Sequence, residues 1–213
     1  MTASREAVAA KGTIRGRSTR QQLLESTLLL VAERGFAGTS TQSVLDHAGV
    51  SRGSLLHHFP TRHRLMTAAA EEAVFRAYSS VEAALSAIKD PIEALRSFPD
   101  VQWRIQNDFP ARAFAEILLA ARWDPGLREG VREVLTTWNR RLRDSIRTVP
   151  DSVGHNDPEG LATEFSVLIA ATQGLAATGA FLEAEGTVTR TLAALSARYE
   201  DCLLRGLGEA PAR

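Results

Sequence analysis

At 213 residues, 44% hydrophobic and 23% charged with a formal net charge of zero, the chain suits one large globular domain or two small ones. Its single cysteine, Cys202, excludes an internal disulfide, and no apolar run follows the N-terminal charges as a secretory signal would require. The longest nearly uncharged run, Phe165 to Phe181, is shorter than the roughly 20 apolar residues of a spanning helix, so a soluble cytoplasmic protein with no membrane partner is expected.

The charge is unevenly placed. Residues 1–65 hold nine Lys/Arg against four acids and four of the five histidines, a net of +5 that the remaining 148 residues balance. A basic first third points to a polyanionic partner for that part alone.

Residues 1–17 are polar and glycine-spaced, which predicts a flexible basic arm in which Arg17 meets phosphate. From Ser18 the apolar residues Leu23, Leu24, Leu28 and Val31 recur at helical spacing until Gly35 stops the helix in the left-handed position after its end. Thr39 is expected to cap a second, short helix, with Gln42 at the spacing of a capping box, and Gly49 ends it. Ser51 caps a third short helix to Phe59, and Pro60-Thr61 opens a long fourth that reaches about Ile88 before "KDP" breaks it. Further helices are predicted over 91–107 (kinked at Pro99), 110–122 and 127–148. A loop follows over Val149–Gly160, then two last helices over 158–184 and 187–206. No strand pattern occurs, so the fold class is all-α with about nine helices.

The stretch "DHAGVSRGSLLHHFPTR" decides the function class. Two short helices joined by a tight glycine turn make a helix-turn-helix. Ala48 lets the helices cross closely, Gly49 supplies the turn, and Val50, Leu55 and Phe59 can be buried beneath it. Arg52, Gly53, Ser54, His57 and His58 then remain outside and, with Gln42 of the second helix, are candidate DNA contacts. An arginine there can reach guanine, and a glycine lets the backbone approach a groove. Adjacent residues on a helix point about 100° apart, so His57 and His58 do not make a metal pair, and neither a metal nor a cofactor is expected.

On the runs "ERGFAGTS", "AGVSRGSLLHHF" and "PTRHRL", residues 18–65 resemble the N-terminal domain of the TetR (tetracycline-repressor) family of transcriptional regulators. The resemblance implies a dimer on double-stranded DNA, with the third helix in the major groove, and DNA contacts from Thr39, Ser51, Arg52, Gly53, His58 and Arg62. The family's usual tyrosine is Leu56 here, its lysine is Arg62, and a common acid is His63. The implied division is an arm over 1–17, a DNA-binding unit over 18–64 and a ligand-binding and dimerisation bundle over 65–213.

Within that bundle the family's last two helices form the dimer interface. The corresponding candidates are Phe165, Leu168, Thr172, Leu175 and Gly179, with Leu192, Leu195, Tyr199 and Cys202 on the final helix. Cys202 is read as a small buried hydrophobe. The middle helices would enclose an effector, with Trp103, Gln106, Phe109, Phe114, Trp123, Trp138, Phe165 and Gln173 as candidate lining. Such a lining favours an uncharged, largely apolar small molecule. The sequence therefore predicts a ligand-responsive repressor binding a palindromic operator as a homodimer. An activator, or a dimeric helical sensor without operator recognition, shares these features. No nucleophile elbow, zinc-protease motif or phosphate loop supports an enzyme.

Overall fold

The computed structural model describes residues 3–181 and 186–208, with side chains described except at 3–18, 145–152 and 180. In chain order the described helices are α1 (Ala3–Arg34), α2 (Thr41–Ala48), α3 (Arg52–His58), α4 (Arg62–Ser86), α5 (Pro91–Gln106), α6 (Phe109–Ala121), α7 (Pro125–Val153), α8 (Pro158–Thr178) and α9 (Thr187–Gly206). A 3-10 turn, Gly179–Phe181, follows α8, and no strand occurs among the described residues. The all-α expectation holds.

Three boundaries differ from the sequence reading. Helix α1 begins at Ala3 and not at Ser18, because its first turns are alanine-rich and their two glycines lower helix propensity without ending it. Helix α5 runs unbroken through Pro99. Helix α7 extends through Pro150 to Val153, which shrinks the expected loop to a short turn at Gly154 (φ 70°). Residues 182–184, expected at the end of α8, lie outside the described residues.

Two apolar clusters organise the molecule. The first joins Leu23, Leu24, Leu28 and Val31 of α1 with Val44, Leu55, Phe59, Leu65 and Met66, and closes against Phe114 and Ile117 of α6 and Leu127 and Val131 of α7. Helix α1 thus packs on α6 as well as on α4, so the N-terminal helices rest directly on the body. The second cluster stacks Phe98 of α5 with Phe165 of α8 at 4.2 Å between ring centres, and with Tyr199 of α9 at 5.9 Å. Each fully buried side chain of this size contributes roughly 1.5–3 kcal/mol.

Helix α4 touches α1, α5, α6 and α7 and belongs to both halves. Its packing on α7 depends on Gly130, where an added Cβ would fall 2.4 Å from Thr67 Oγ1. Polar ties fix it to α1: Arg76, held by Glu72 of its own helix at 2.9 Å, meets Glu25 at 2.5 Å, and Gln21 donates to Glu72 at 2.8 Å.

Candidate nucleic-acid interface and effector cavity

Helix α3 is held from three sides. Ser51 Oγ accepts from Ser54 N at 3.2 Å and starts the helix. Gly49, at φ 64°, donates to Leu45 O and ends α2, as its place in the sequence required. Leu55 and Phe59 are buried underneath. What α3 leaves outside is a strip of Ser51, Arg52, Gly53, Leu56 and His57, with Ser54 and His58 half-buried at its edges. The His57 and His58 rings meet edge-on at 5.2 Å, and Arg20 from α1 lies 5.5 Å over the Phe59 ring beside them. Burial first, then the neighbouring His57 and Arg20, hold the His58 imidazole below its ordinary range.

Several predicted contacts have other employment. Thr39 is only 1% exposed and donates its hydroxyl to Gly35 O at 2.9 Å, so it braces the α1–α2 turn and does not face outward. With Thr39 engaged, Ser40 caps α2, and Ser43 rather than Gln42 closes the capping box, each hydroxyl accepting from the other's backbone N–H at 3.0 Å. Gln42 is exposed and donates to Asp46 at 2.7 Å. Arg62 turns inward: Nη2 donates to Phe36 O (2.8 Å) and Thr39 O (3.1 Å), and the guanidinium lies 4.1 Å over the Phe36 ring. It clamps the start of α4 to the α1–α2 turn, a role that needs arginine's several donors and flat face. The side chain of Arg17 lies outside the described residues.

A cavity of about 580 Å³ opens among α4, α5, α6, α7 and α8. Of the predicted lining, Gln106, Phe114, Trp138, Phe165 and Gln173 border it. Trp103, Phe109 and Trp123 do not: Phe109 packs against the first apolar cluster, and Trp123 is 85% exposed in the α6–α7 turn, where nothing covers it. Trp138 is fixed by Phe75 and Tyr78 (6.1 and 5.5 Å) and covered by the Arg141 guanidinium at 4.8 Å. Sequence reasoning missed Gln102, Tyr78 and Asn139, which also border the cavity. For Gln102 the signal was present: it stands one helical turn before Gln106, on the stripe that carries Phe98.

The candidate dimer residues also divide. Phe165, Leu168, Thr172, Leu175 and Tyr199 are buried within the chain, Thr172 donating to Leu168 O at 2.8 Å. Phe165, Leu168 and Tyr199 join Phe98 of α5 in the second apolar cluster, so they line the chain's own core. Leu192, Leu195, Gly179 and Cys202 stay half-exposed. Outward on α8 stand Ser166, Ala170, Gly174 and Ala177, with Phe181 exposed just beyond. Among the described residues α8 is the one helix long and apolar enough to cross a membrane, but Leu161, Phe165 and Leu168 face this core. Burial, then Glu164 and Asp157, push the Cys202 thiol above its ordinary range, which makes it a poor nucleophile.

Comparison with known proteins agrees with this geometry. Residues 23–69 match the family described as bacterial regulatory proteins, tetR family. The HTH-type transcriptional regulator CymR of Pseudomonas putida is 30% identical over 123 residues, 57% of this chain and 60% of CymR. The matched region thus spans somewhat under two thirds of that relative. A transcriptional regulator from Rhodococcus sp. Rha1 superposes with a TM-score of 0.67 at 24% identity, covering 90% of this chain and 99% of that one. A regulator from Saccharomonospora viridis, solved in complex with choline, gives 0.64 at 21% identity, over 86% and 96%. The likeness to the tetR family thus lies in the N-terminal unit, residues 23–69, and the fold is the one those solved regulators share.

Proposed function

We propose that the protein is a ligand-responsive transcriptional repressor that binds a palindromic operator as a homodimer, with residues 18–64 reading DNA and 65–213 sensing the effector and dimerising. One observation carries this reading. Helix α4 runs unbroken from the Arg62 clamp beneath the reading head to Ala73–Ser86, which border the cavity. A molecule that prefers one position of α4 shifts α3 by the difference in its affinity for the two positions.

In this reading Arg52 meets a base edge, while Ser51, Ser54, His57 and His58 meet groove and phosphate. The outward Ala170, Gly174 and Ala177 of α8 allow a second copy to approach closely and set two α3 helices about one DNA turn apart. The Saccharomonospora viridis neighbour was solved in complex with choline, which supports a small-molecule effector; here the cavity favours a largely apolar one.

Selection from a randomised duplex pool at two salt concentrations tests the operator claim, and sedimentation tests the dimer. Enrichment of a two-fold palindrome by a dimeric species is the expected result. Binding without an enriched sequence that vanishes at moderate salt would sink the operator reading and favour a sensor without sequence recognition.

A further inference from the structure

The cavity is not uniformly apolar, and where its polar groups stand restricts what can fill it. Gln102 and Gln106 lie one turn apart on α5, are 5% and 8% exposed, and both border the cavity. Neither amide makes a side-chain hydrogen bond among the described residues. An amide carries two donors and an acceptor, and since neither amide is among the fully buried orphaned polar atoms, both reach the open space of the cavity. Gln173 of α8 borders the same cavity.

Position sharpens the point. The turn at Ala87–Asp90 folds α5 back along α4, which returns Gln106 to the level of Ala73 and Phe114, both buried at the inner end. Outward from there the wall is Phe98, Val81, Leu95, Leu142 and Ile169. The carboxylate and ammonium side chains on the lining are Glu82 and Lys89, both exposed. The last helical residue of α4, Ser86, stands roughly 20 Å from Ala73 at 1.5 Å per residue, and Lys89 lies in the turn that follows it. The inner end therefore holds amides and no counter-ion.

We infer that the cavity binds an elongated apolar molecule inner-end first, through a neutral group that both accepts and donates hydrogen bonds, such as a carboxamide, and that it discriminates against a carboxylate of the same length. This rests on the effector reading only for the identity of the site. An amide head satisfies Gln102 and Gln106 in both directions, whereas a carboxylate would be stripped of water with no cation opposite it.

Calorimetry with three probes on the full-length protein, without DNA, tests the inference: decanamide, decanoate at pH 7.4, and n-butylbenzene. Decanamide should bind about tenfold or more tightly than decanoate. Gln102→Leu with Gln106→Leu should abolish that preference while n-butylbenzene binds as well or better. Decanoate binding as tightly as decanamide to the unaltered protein overturns the inference, and this comparison needs no variant to fold. Failure of decanamide to bind overturns it too, as does an undiminished decanamide preference in a double variant that still takes n-butylbenzene. Release from a selected duplex is measured separately. Decanamide that binds with the expected preference but leaves the DNA complex intact supports the chemistry and removes the effector role.

Discussion

His63 Nε2 lies 2.8 Å from Asp124 Oδ2, and through that contact the first turn of α4 holds the first turn of α7. The other carboxylate oxygen, Oδ1, accepts from Gly126 N at 3.0 Å and Leu127 N at 3.1 Å, so one side chain both starts α7 and grips α4. The His63 hydrogen bond, with the backbone N–H groups, holds the Asp124 carboxyl below its ordinary range. A depressed carboxyl contributes stability above its unfolded value near 3.9 and loses it as pH falls through the lower folded value. The tie is thus intact at neutral pH and fails in acid. At neutral pH His63→Ala should leave the fold nearly unchanged, since it removes only an exposed contact. It should instead move the ligand-induced loss of operator affinity toward unity, from the roughly 5–150-fold range of such couplings. Titrating the effector against a labelled operator measures this, and an unchanged coupling would show that α4 and α7 move together without the tie. Asp124→Ala also removes the helix cap, so it should lower the unfolding midpoint more than His63→Ala does.

Arg62 illustrates a residue whose type is legible but whose partner is not. Its donors are spent on Phe36 O and Thr39 O, and its flat face covers the Phe36 ring. Burial lowers its pKa while Asp124 works the other way. Arg62→Ala should cost about 2 kcal/mol in urea unfolding, the scale of charged hydrogen bonds plus a cation–π contact. Arg62→Lys should recover less than half, because an ammonium has no flat face to stack. A free-surface arginine would cost almost nothing in this experiment, so the two roles separate cleanly.

The pattern of success in the sequence follows the range of the forces. Gly35 and Gly49 were legible as left-handed residues because a helix end constrains its own next residue. Leu55 and Phe59 were legible as anchors because helical spacing alone decides which face they share. Thr39 and Ser40 are both plausible caps from composition, and only the carbonyl of Gly35, available once the turn has formed, makes the choice. Phe165 and Tyr199 have the right apolar character for a partner subunit and for the chain's own core. Their assignment waits on the stack with Phe98, more than sixty residues distant from Phe165 in sequence. Trp123 was indistinguishable from Trp138 until the α6–α7 turn left one outside and α4 covered the other.

His58 gives a pH dependence whose sign can be fixed. Its imidazole is held below 6.5 in the free protein by burial, His57 and Arg20. In the fold alone, this group therefore removes stability as pH falls below 6.5, because the unfolded chain takes the proton more readily. A phosphate placed beside it would raise its pKa, so binding would take up a proton and tighten over the same window. Operator affinity should rise as pH falls below about 6.5, by at most about tenfold per unit for one proton. His58→Gln should flatten the profile without changing the salt slope at pH 7.5. A profile identical in both proteins would place His58 away from the DNA.

Gly53 separates the needs of the fold from the needs of the operator. Inside the protein nothing requires a glycine: an added Cβ would come no nearer than 4.0 Å to any neighbour, the Ser51 hydroxyl. Its φ is not among the positive ones, so alanine fits the backbone without strain. On stability alone Gly53→Ala should gain roughly 0.5–1 kcal/mol, since glycine is the poorer helix former. The exposed strip runs Arg52, Gly53, Leu56, His57, and a gap at Gly53 lets the axis of α3 approach a groove while Arg52 reaches past it. Filling the gap should weaken specific operator binding by at least about tenfold, a misfit of the order of one mismatched base pair. Binding to random duplex should change little. Leu56, 47% exposed, offers an apolar side chain where the family usually carries tyrosine, so Leu56→Ala should cost affinity on operators that place a thymine methyl beneath it. A Gly53→Ala protein that is more stable and binds its operator unchanged would mean that α3 does not lie deep in the groove, and Arg52 would then have to read its base from the rim.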